Sequence, residues 1–255
     1  MCNMELPGNT TNKNIKVKSD MNEKDIGNLY DEELASNWNH RLNLEKNRVA
    51  FEVRTLGQLV SKVDKWLDVA CGTGYFLSQF SNIKRAGFDI SPAMVKIAQQ
   101  VNPDAMFIRV ADYRNDFPEW AGQWGLVSCM WQAYNYVNTM EELEHVIQNL
   151  ATWTADEGIR FVPFGAPFGK NPDLPYQRKA RSVWGGQVVN SGVVWSWIDD
   201  QTGKIHKNLI EPHPDHMKAM FRNHFNVVKV IEYPNEGLHA IIASEKKNSP
   251  PSGNT

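Results

Sequence analysis

Three aspartates and two glycines carry the first legible chemistry in this chain. Asp68 stands just ahead of Gly72-Thr-Gly74, Asp89 follows 21 residues after Asp68, and Asp112 comes later, each closing a short apolar run. Glycines after a strand let bare backbone approach a ligand, and a carboxylate about 20 residues on can accept hydrogen bonds from both ribose hydroxyls. A third carboxylate at Asp112 can accept from the exocyclic amine of adenine. The pattern omits the third glycine of a pyrophosphate-binding G-x-G-x-x-G, because Leu77 fills that place, and no lysine follows at P-loop spacing. The ligand these residues suit is a nucleoside rather than a phosphate.

A second group could handle an acceptor. Trp131-Gln-Ala-Tyr-Asn-Tyr136 follows the fourth apolar run, and Gln132, Tyr134, Asn135 and Tyr136 can orient an amine or hydroxyl. His206, His213 and His216 lie further on, and histidine is a residue type that can take a proton from a substrate hydroxyl or ammonium. The three cysteines, Cys2, Cys71 and Cys129, give neither a disulfide spacing nor a metal pattern. No metal site is expected, and Cys71 reads as a small side chain beside the ligand.

The elements that must hold these residues alternate. Asp31 to Val60 reads as two helical pieces. Trp66–Val69, Arg85–Ile90, Ala105–Ala111, Trp124–Met130 and Ile159–Phe164 read as five strands, with helices after Gly74, over Pro92–Gln100 and over Met140–Thr152. Ser91 with Pro92 and Thr139 with Glu141 and Glu142 are helix starts. Beyond a Pro/Gly-rich loop at Gly165–Pro175, Gly186–Ile198 alternates as one strand that can pair with Lys204–Ile210. A helix near His213 and strands at Val227–Glu232 and Leu238–Ala243 end the pattern. Alternating β and α elements predict a parallel sheet covered on both faces. Strand ends in such a sheet border the ligand, which places Trp131–Tyr136 beside it.

Asp68-Val-Ala-Cys-Gly-Thr-Gly74, Phe88-Asp89-Ile-Ser91 and Ala111-Asp112-Tyr113, in order and in register, resemble the three motifs of class I S-adenosylmethionine-dependent methyltransferases. The resemblance implies a Rossmann-like seven-stranded fold, mostly parallel, with a C-terminal antiparallel hairpin and here a β-rich insertion after strand five. It implies S-adenosylmethionine as cofactor, held by Asp68, Ala70, Cys71, Gly72, Gly74, Asp89, Ile90, Met94, Ala111, Asp112, Tyr113, Met130 and Trp131. In style the chain is similar to methyltransferases of nucleotide-linked deoxysugar amines and glycine-type amines. Such enzymes close an N-terminal Tyr and Arg over the methionine end, a role that falls to Tyr30 and Arg41, with Trp38 and Arg48 as competitors. Tyr134, Tyr136, His213 and His216 are the catalytic candidates. The Asp/Asn-Pro-Pro-aromatic motif of base methyltransferases is not matched at Ser128–Gln132, and no acid cluster follows strand four. The expected reaction is methyl transfer to N or O of a small metabolite; the alternative is a catalytically silent cofactor-binding subunit.

The expected organisation is a tail over 1–22, a helical cap over 23–62, the cofactor-binding core over 63–164, an insertion over 165–212, a closing helix and strands over 213–245, and a tail over 246–255. Apolar residues form 42% of the chain, enough for a buried sheet, and a net charge of −2 gives no field that draws nucleic acid. No run spans a membrane and no leader pattern is read, so a cytoplasmic location is expected. Trp184, Trp195 and Trp197 are expected to bury against the sheet edge or a partner chain, which allows for a homodimer, or to roof a small-molecule site.

Overall fold

The computed structural model describes residues 23–165, 177–181, 187–189, 192–199, 201–234 and 238–247. Trp184 and the tails over 1–22 and 248–255 lie outside them. Helices α1 (Glu23–Leu29), α2 (Glu32–Leu44) and α3 (Lys46–Val60) come first, then β1 (Lys65–Val69), α4 (Tyr75–Ser78), β2 (Lys84–Asp89), α5 (Pro92–Val101), β3 (Phe107–Val110) and β4 (Trp124–Cys129). Next are α6 (Met140–Trp153), β5 (Thr154–Phe164), β6 (Gln177–Arg181), β7 (Gln187–Val189), β8 (Gly192–Ile198), β9 (Ile205–Pro212), α7 (Pro214–His224), β10 (Phe225–Glu232) and β11 (His239–Lys246).

Seven strands form one sheet in the order β10-β11-β5-β4-β1-β2-β3. The five central and far-edge strands run parallel, and β11 lies antiparallel between β5 and β10. Each face is buried under helices, which is why the strands read as continuous apolar runs. Val127, Phe164, Leu150, Trp153 and Phe221 fill one layer, and Trp66, Leu77, Ala98, Leu126 and Leu56 fill the other. Each leucine, valine or phenylalanine among them contributes about 1.5–3 kcal/mol by leaving water.

Local chemistry sets the helix starts as the sequence suggests. Ser91 accepts the Met94 N–H with Pro92 in the first turn, and Thr139 accepts the Glu142 N–H. Three boundaries differ. The strand read over Gly186–Ile198 is two strands in separate ladders, β7 with β6 and β8 with β9. β5 starts at Thr154 because α6 passes directly into it, and the polar run Ala155–Gly158 hid that start. The C-terminal strand reaches Lys246, past the expected tail boundary, because all of it pairs with β10.

The missing third glycine has a structural substitute. A Cβ on Gly87 of β2 would come within 2.8 Å of Leu77 and 2.9 Å of Cys71 Sγ. The glycine that lets α4 close on the sheet therefore sits on the neighbouring strand, facing Leu77.

Candidate active site

The strand ends and the first helices enclose an inner cleft. The loop after β1 forms one wall. Ala70, Gly72 and Gly74 all have left-handed backbone, with φ of 54°, 54° and 72°. Gly72 faces the cleft, and a Cβ there would point at Trp38 Nε1, 3.7 Å away. Gly74 does different work: a Cβ would strike Asn102 Nδ2 at 2.6 Å and Ala98 at 2.9 Å, so its bareness lets α5 pack on the loop.

Asp89 stands at the cleft's centre. Its carboxylate accepts from the Gly72 N–H at 2.8 Å and the Ser91 N–H at 2.9 Å, one through each oxygen. Each oxygen keeps acceptor capacity, which is what a pair of ribose hydroxyls requires. Burial pushes its pKa up to about 6, against the pull of those two amides. Ile90, Met94, Phe76 and Met130 supply apolar walls for a flat base.

Asp68 lies beside Ser128 in the parallel register of β1 and β4. Ser128 Oγ donates to Asp68 Oδ1 at 2.6 Å and accepts from Trp66 Nε1 at 2.8 Å. Among the described residues the other oxygen, Oδ2, is buried with no hydrogen-bond partner, and burial pushes the acid up to about 7. Asp112 does line the cleft, but Arg114 claims most of its acceptor capacity, with Nε at 3.0 and 2.9 Å from the two oxygens and its own N–H at 2.9 Å.

The N-terminal helices roof this cleft. Tyr30, Ile26, Trp38 and Leu42 line it from above. The roof is pinned by Ser91 Oγ donating to the Tyr30 carbonyl and Thr73 Oγ1 donating to Asn39 Oδ1. On the far side Arg41 pairs with Asp199 at 2.7 Å, and Lys204 pairs with Asp31. Arg41, expected at the methionine end, is thus committed to Asp199 and to the faces of Trp38 and Trp197.

An outer cleft opens beside the inner one. Tyr30, Trp38, Trp131 and Tyr136 line both, while Arg41, Arg48, Gln132, Asn135, Trp195 and Trp197 line only the outer. The loop between them is strained, since Trp131 and Gln132 have successive φ values of 54° and 60°. Two buried acids clamp it. Glu52 of α3 accepts from Trp131 Nε1 at 2.8 Å, Arg48 Nε at 3.1 Å and Tyr233 Oη at 3.1 Å. Glu211 of β9 accepts from Tyr134 Oη and Asn135 Nδ2, both at 2.7 Å, and from the Gly165 N–H at 3.2 Å. Such strain persists only where the surroundings over-determine it, and it clusters at functional sites.

The sequence-expected residues divide accordingly. Tyr30, Ala70, Cys71, Gly72, Asp89, Ile90, Met94, Asp112, Tyr113, Met130, Trp131 and Tyr136 meet around the inner cleft. Gly74, Asp68 and Ala111 stand behind its wall. Tyr134 is fully buried on Glu211 and lines neither cleft. His213 caps α7 by accepting the Asp215 N–H, and His216 faces Glu144 at 3.2 Å; neither reaches a cleft. Trp195 and Trp197 do reach the outer one. Ile26, Leu42, Thr73 and Phe76 were missed, as were Glu52 and Glu211. For Glu52 the signal was present: an acid at helical spacing between Val49 and Leu56 on an apolar stripe.

Residues 67–158 match the family model described as a methyltransferase domain. The dTDP-4-amino-2,3,4,6-tetradeoxy-D-glucose N,N-dimethyltransferase of Saccharopolyspora spinosa is 34% identical over 98 residues, which is 38% of each chain. The dTDP-3-amino-3,6-dideoxy-alpha-D-glucopyranose N,N-dimethyltransferase of Streptomyces fradiae is 30% identical over 159 residues, covering 60% of this chain and 59% of that one. This chain therefore spans less than two thirds of the length of either relative. Among solved structures, S-adenosylmethionine-bound CalS10, an amino pentose methyltransferase from Micromonospora echinaspora, superposes with a TM-score of 0.54 at 16% identity, covering 77% of this chain and 89% of that one. Among the described residues no group of acids, histidines and cysteines could hold a metal ion, and no helix is long and apolar enough to cross a membrane. Residues 67–158, from the first strand into the fifth, are thus similar to a methyltransferase domain, and the fold around them is that of the solved methyltransferases.

Proposed function

We propose that this chain transfers a methyl group from S-adenosylmethionine in the inner cleft to the amine of a small molecule in the outer cleft. A nucleotide-linked amino sugar is the acceptor class favoured by the names of the two relatives. The observation that carries the reading is the shared wall. Because Tyr30, Trp38, Trp131 and Tyr136 border both clefts, ligands filling the two must meet there.

When bound, the cofactor supplies an electrophilic methyl on a sulfonium whose leaving thioether is neutral. The protein's own task is alignment more than charge stabilisation. Asp89 fixes the nucleoside end. Trp38 and Trp131, ring centroids 5.8 Å apart, meet edge to face at the junction. Arg41 and Arg48 line the outer cleft together with Glu45, and their guanidiniums already pair with Asp199 and Glu52.

Calorimetric titration with S-adenosylmethionine, S-adenosylhomocysteine and NAD tests the cofactor, and tighter binding of NAD would sink the assignment. Mass spectrometry of amino-sugar nucleotides, with hydroxyl analogues alongside, tests the acceptor. Cofactor binding with no transfer to any amine would leave the silent-subunit alternative standing.

A further inference from the structure

A line of three side chains leads away from the junction of the clefts. The Tyr30 and Tyr136 hydroxyls lie 2.6 Å apart, and Tyr136 Oη lies 2.6 Å from His206 Nδ1. The three come from distant segments: the end of α1, the loop after β4, and β9 of the insertion. His206 is fully buried and stacks on Trp197, with centroids 4.0 Å apart and planes 11° from parallel. Its Nε2 has no hydrogen-bond partner among the described residues.

Two directions are open to the hydrogens of this line. Were Nδ1 to carry its hydrogen, it would donate to Tyr136 and Tyr136 to Tyr30, leaving the Tyr30 hydrogen to face the cleft. That donor would occupy the lone pair of an arriving amine, the pair that has to attack. With Nδ1 bare, Tyr136 donates to it and Tyr30 donates to Tyr136. Tyr30 Oη then turns its lone pairs to the cleft, accepts an amine N–H and leaves the nucleophilic pair free. The second direction leaves the Nε2–H buried without an acceptor, and that costs stability.

Resting on the amine-methylation reading above, we propose that His206 is a positioning residue whose bare Nδ1 fixes the direction of the Tyr136–Tyr30 hydrogen-bond chain and makes Tyr30 an acceptor for the substrate amine. Burial holds the imidazole down to about 4; Asp199 opposes that shift, and Arg41 and Lys204 reinforce it. The ring therefore stays neutral in the working range, and no net proton transfer to it is required.

The direct test is nitrogen NMR on histidine-labelled protein without ligands, with the His206 signals assigned by their loss in His206→Phe. The expected result is the neutral Nε2–H tautomer throughout about pH 6 to 8. A Nδ1–H tautomer or a charged ring would overturn the proposal. In turnover, His206→Phe keeps the stack on Trp197 but removes the acceptor, and kcat should fall about five- to tenfold with S-adenosylhomocysteine affinity unchanged. His206→Asn, whose Oδ1 falls near the position of Nδ1, should recover most of that loss. The double variant with Tyr136→Phe should be no slower than Tyr136→Phe alone, and additive losses would overturn the wired chain. Failure of the wild type to methylate any amine overturns the underlying reading instead, and the tautomer measurement separates that outcome from a wrongly assigned His206.

Discussion

Replacing Asp89 by alanine isolates the group on which cofactor recognition turns. The carboxylate is buried, accepts one backbone N–H on each oxygen and faces the inner cleft. Its loss removes the remaining acceptor sites, where a ligand's hydroxyls would bind a charged partner. Hydrogen bonds to a charged group contribute about 1.5–3 kcal/mol. That corresponds to a rise of about ten- to a hundredfold in Kd, at about 1.4 kcal/mol per decade. The same change strips the acceptor from the Gly72 and Ser91 amides, so the melting temperature should fall as well. Asp89→Asn is the sharper variant, because it keeps the shape and one acceptor oxygen while turning an NH₂ toward one of those two donors. Calorimetry with S-adenosylhomocysteine, on protein shown to be folded by circular dichroism, reads the effect without turnover. Because burial holds the wild-type acid at about 6, its affinity should also weaken as pH falls through that value. A Kd within about twofold of wild type in folded Asp89→Ala would refute the reasoning, since that is well below the effect of losing hydrogen bonds to a buried charged group.

Gly72→Val should abolish cofactor binding outright, because it forces a β-branched residue to a φ of 54° and fills space below Trp38; retained affinity by calorimetry would contradict the loop's assigned role. Tyr134→Phe should cost about 1–3 kcal/mol of stability by leaving a Glu211 oxygen under-satisfied, without changing cofactor affinity; a denaturant titration and calorimetry together check both halves. Glu211, pushed up to about 7 by burial, takes up its proton more readily folded than unfolded, so its stabilising contribution is present at low pH and is lost as pH rises through about 7. Glu211→Gln should therefore flatten the decline of melting temperature between about pH 5 and 8, while Asp68, shifted the same way, keeps part of the slope. An unchanged slope would mean that Glu211 does not titrate there.

The cofactor half of this site was legible because strand, turn and helix leave short-range signatures. Asp68, Gly72, Gly74 and Asp89 follow one another within a single βαβ span, and their spacing is fixed by the fold. The outer half was not, because its chemistry is assembled over long distances. Tyr134 and Tyr136 are two residues apart, yet one is tied to Glu211 and the other to Tyr30 and His206. Nothing local distinguishes them, since partners 70 and more residues away decide which hydroxyl borders a cleft. His206 was one histidine among three near the insertion, and only the pairing of β8 with β9 sets it behind Tyr136 while His213 is spent on a helix cap. The commitment of Arg41 to Asp199 was likewise invisible, because charge pairing across an insertion has no sequence period.

The doubled use of Tyr30 and Trp38 has a thermodynamic corollary. Both residues belong to the roof, and both line the inner and outer clefts. A ligand that orders them from one side has already met part of the entropic cost facing a ligand on the other. Affinity for the acceptor should thus rise when the inner cleft is filled, and affinity for the cofactor product should rise by the same factor when the outer cleft is filled, because such linkage is reciprocal. The two clefts are in that sense a single binding equilibrium with two entrances.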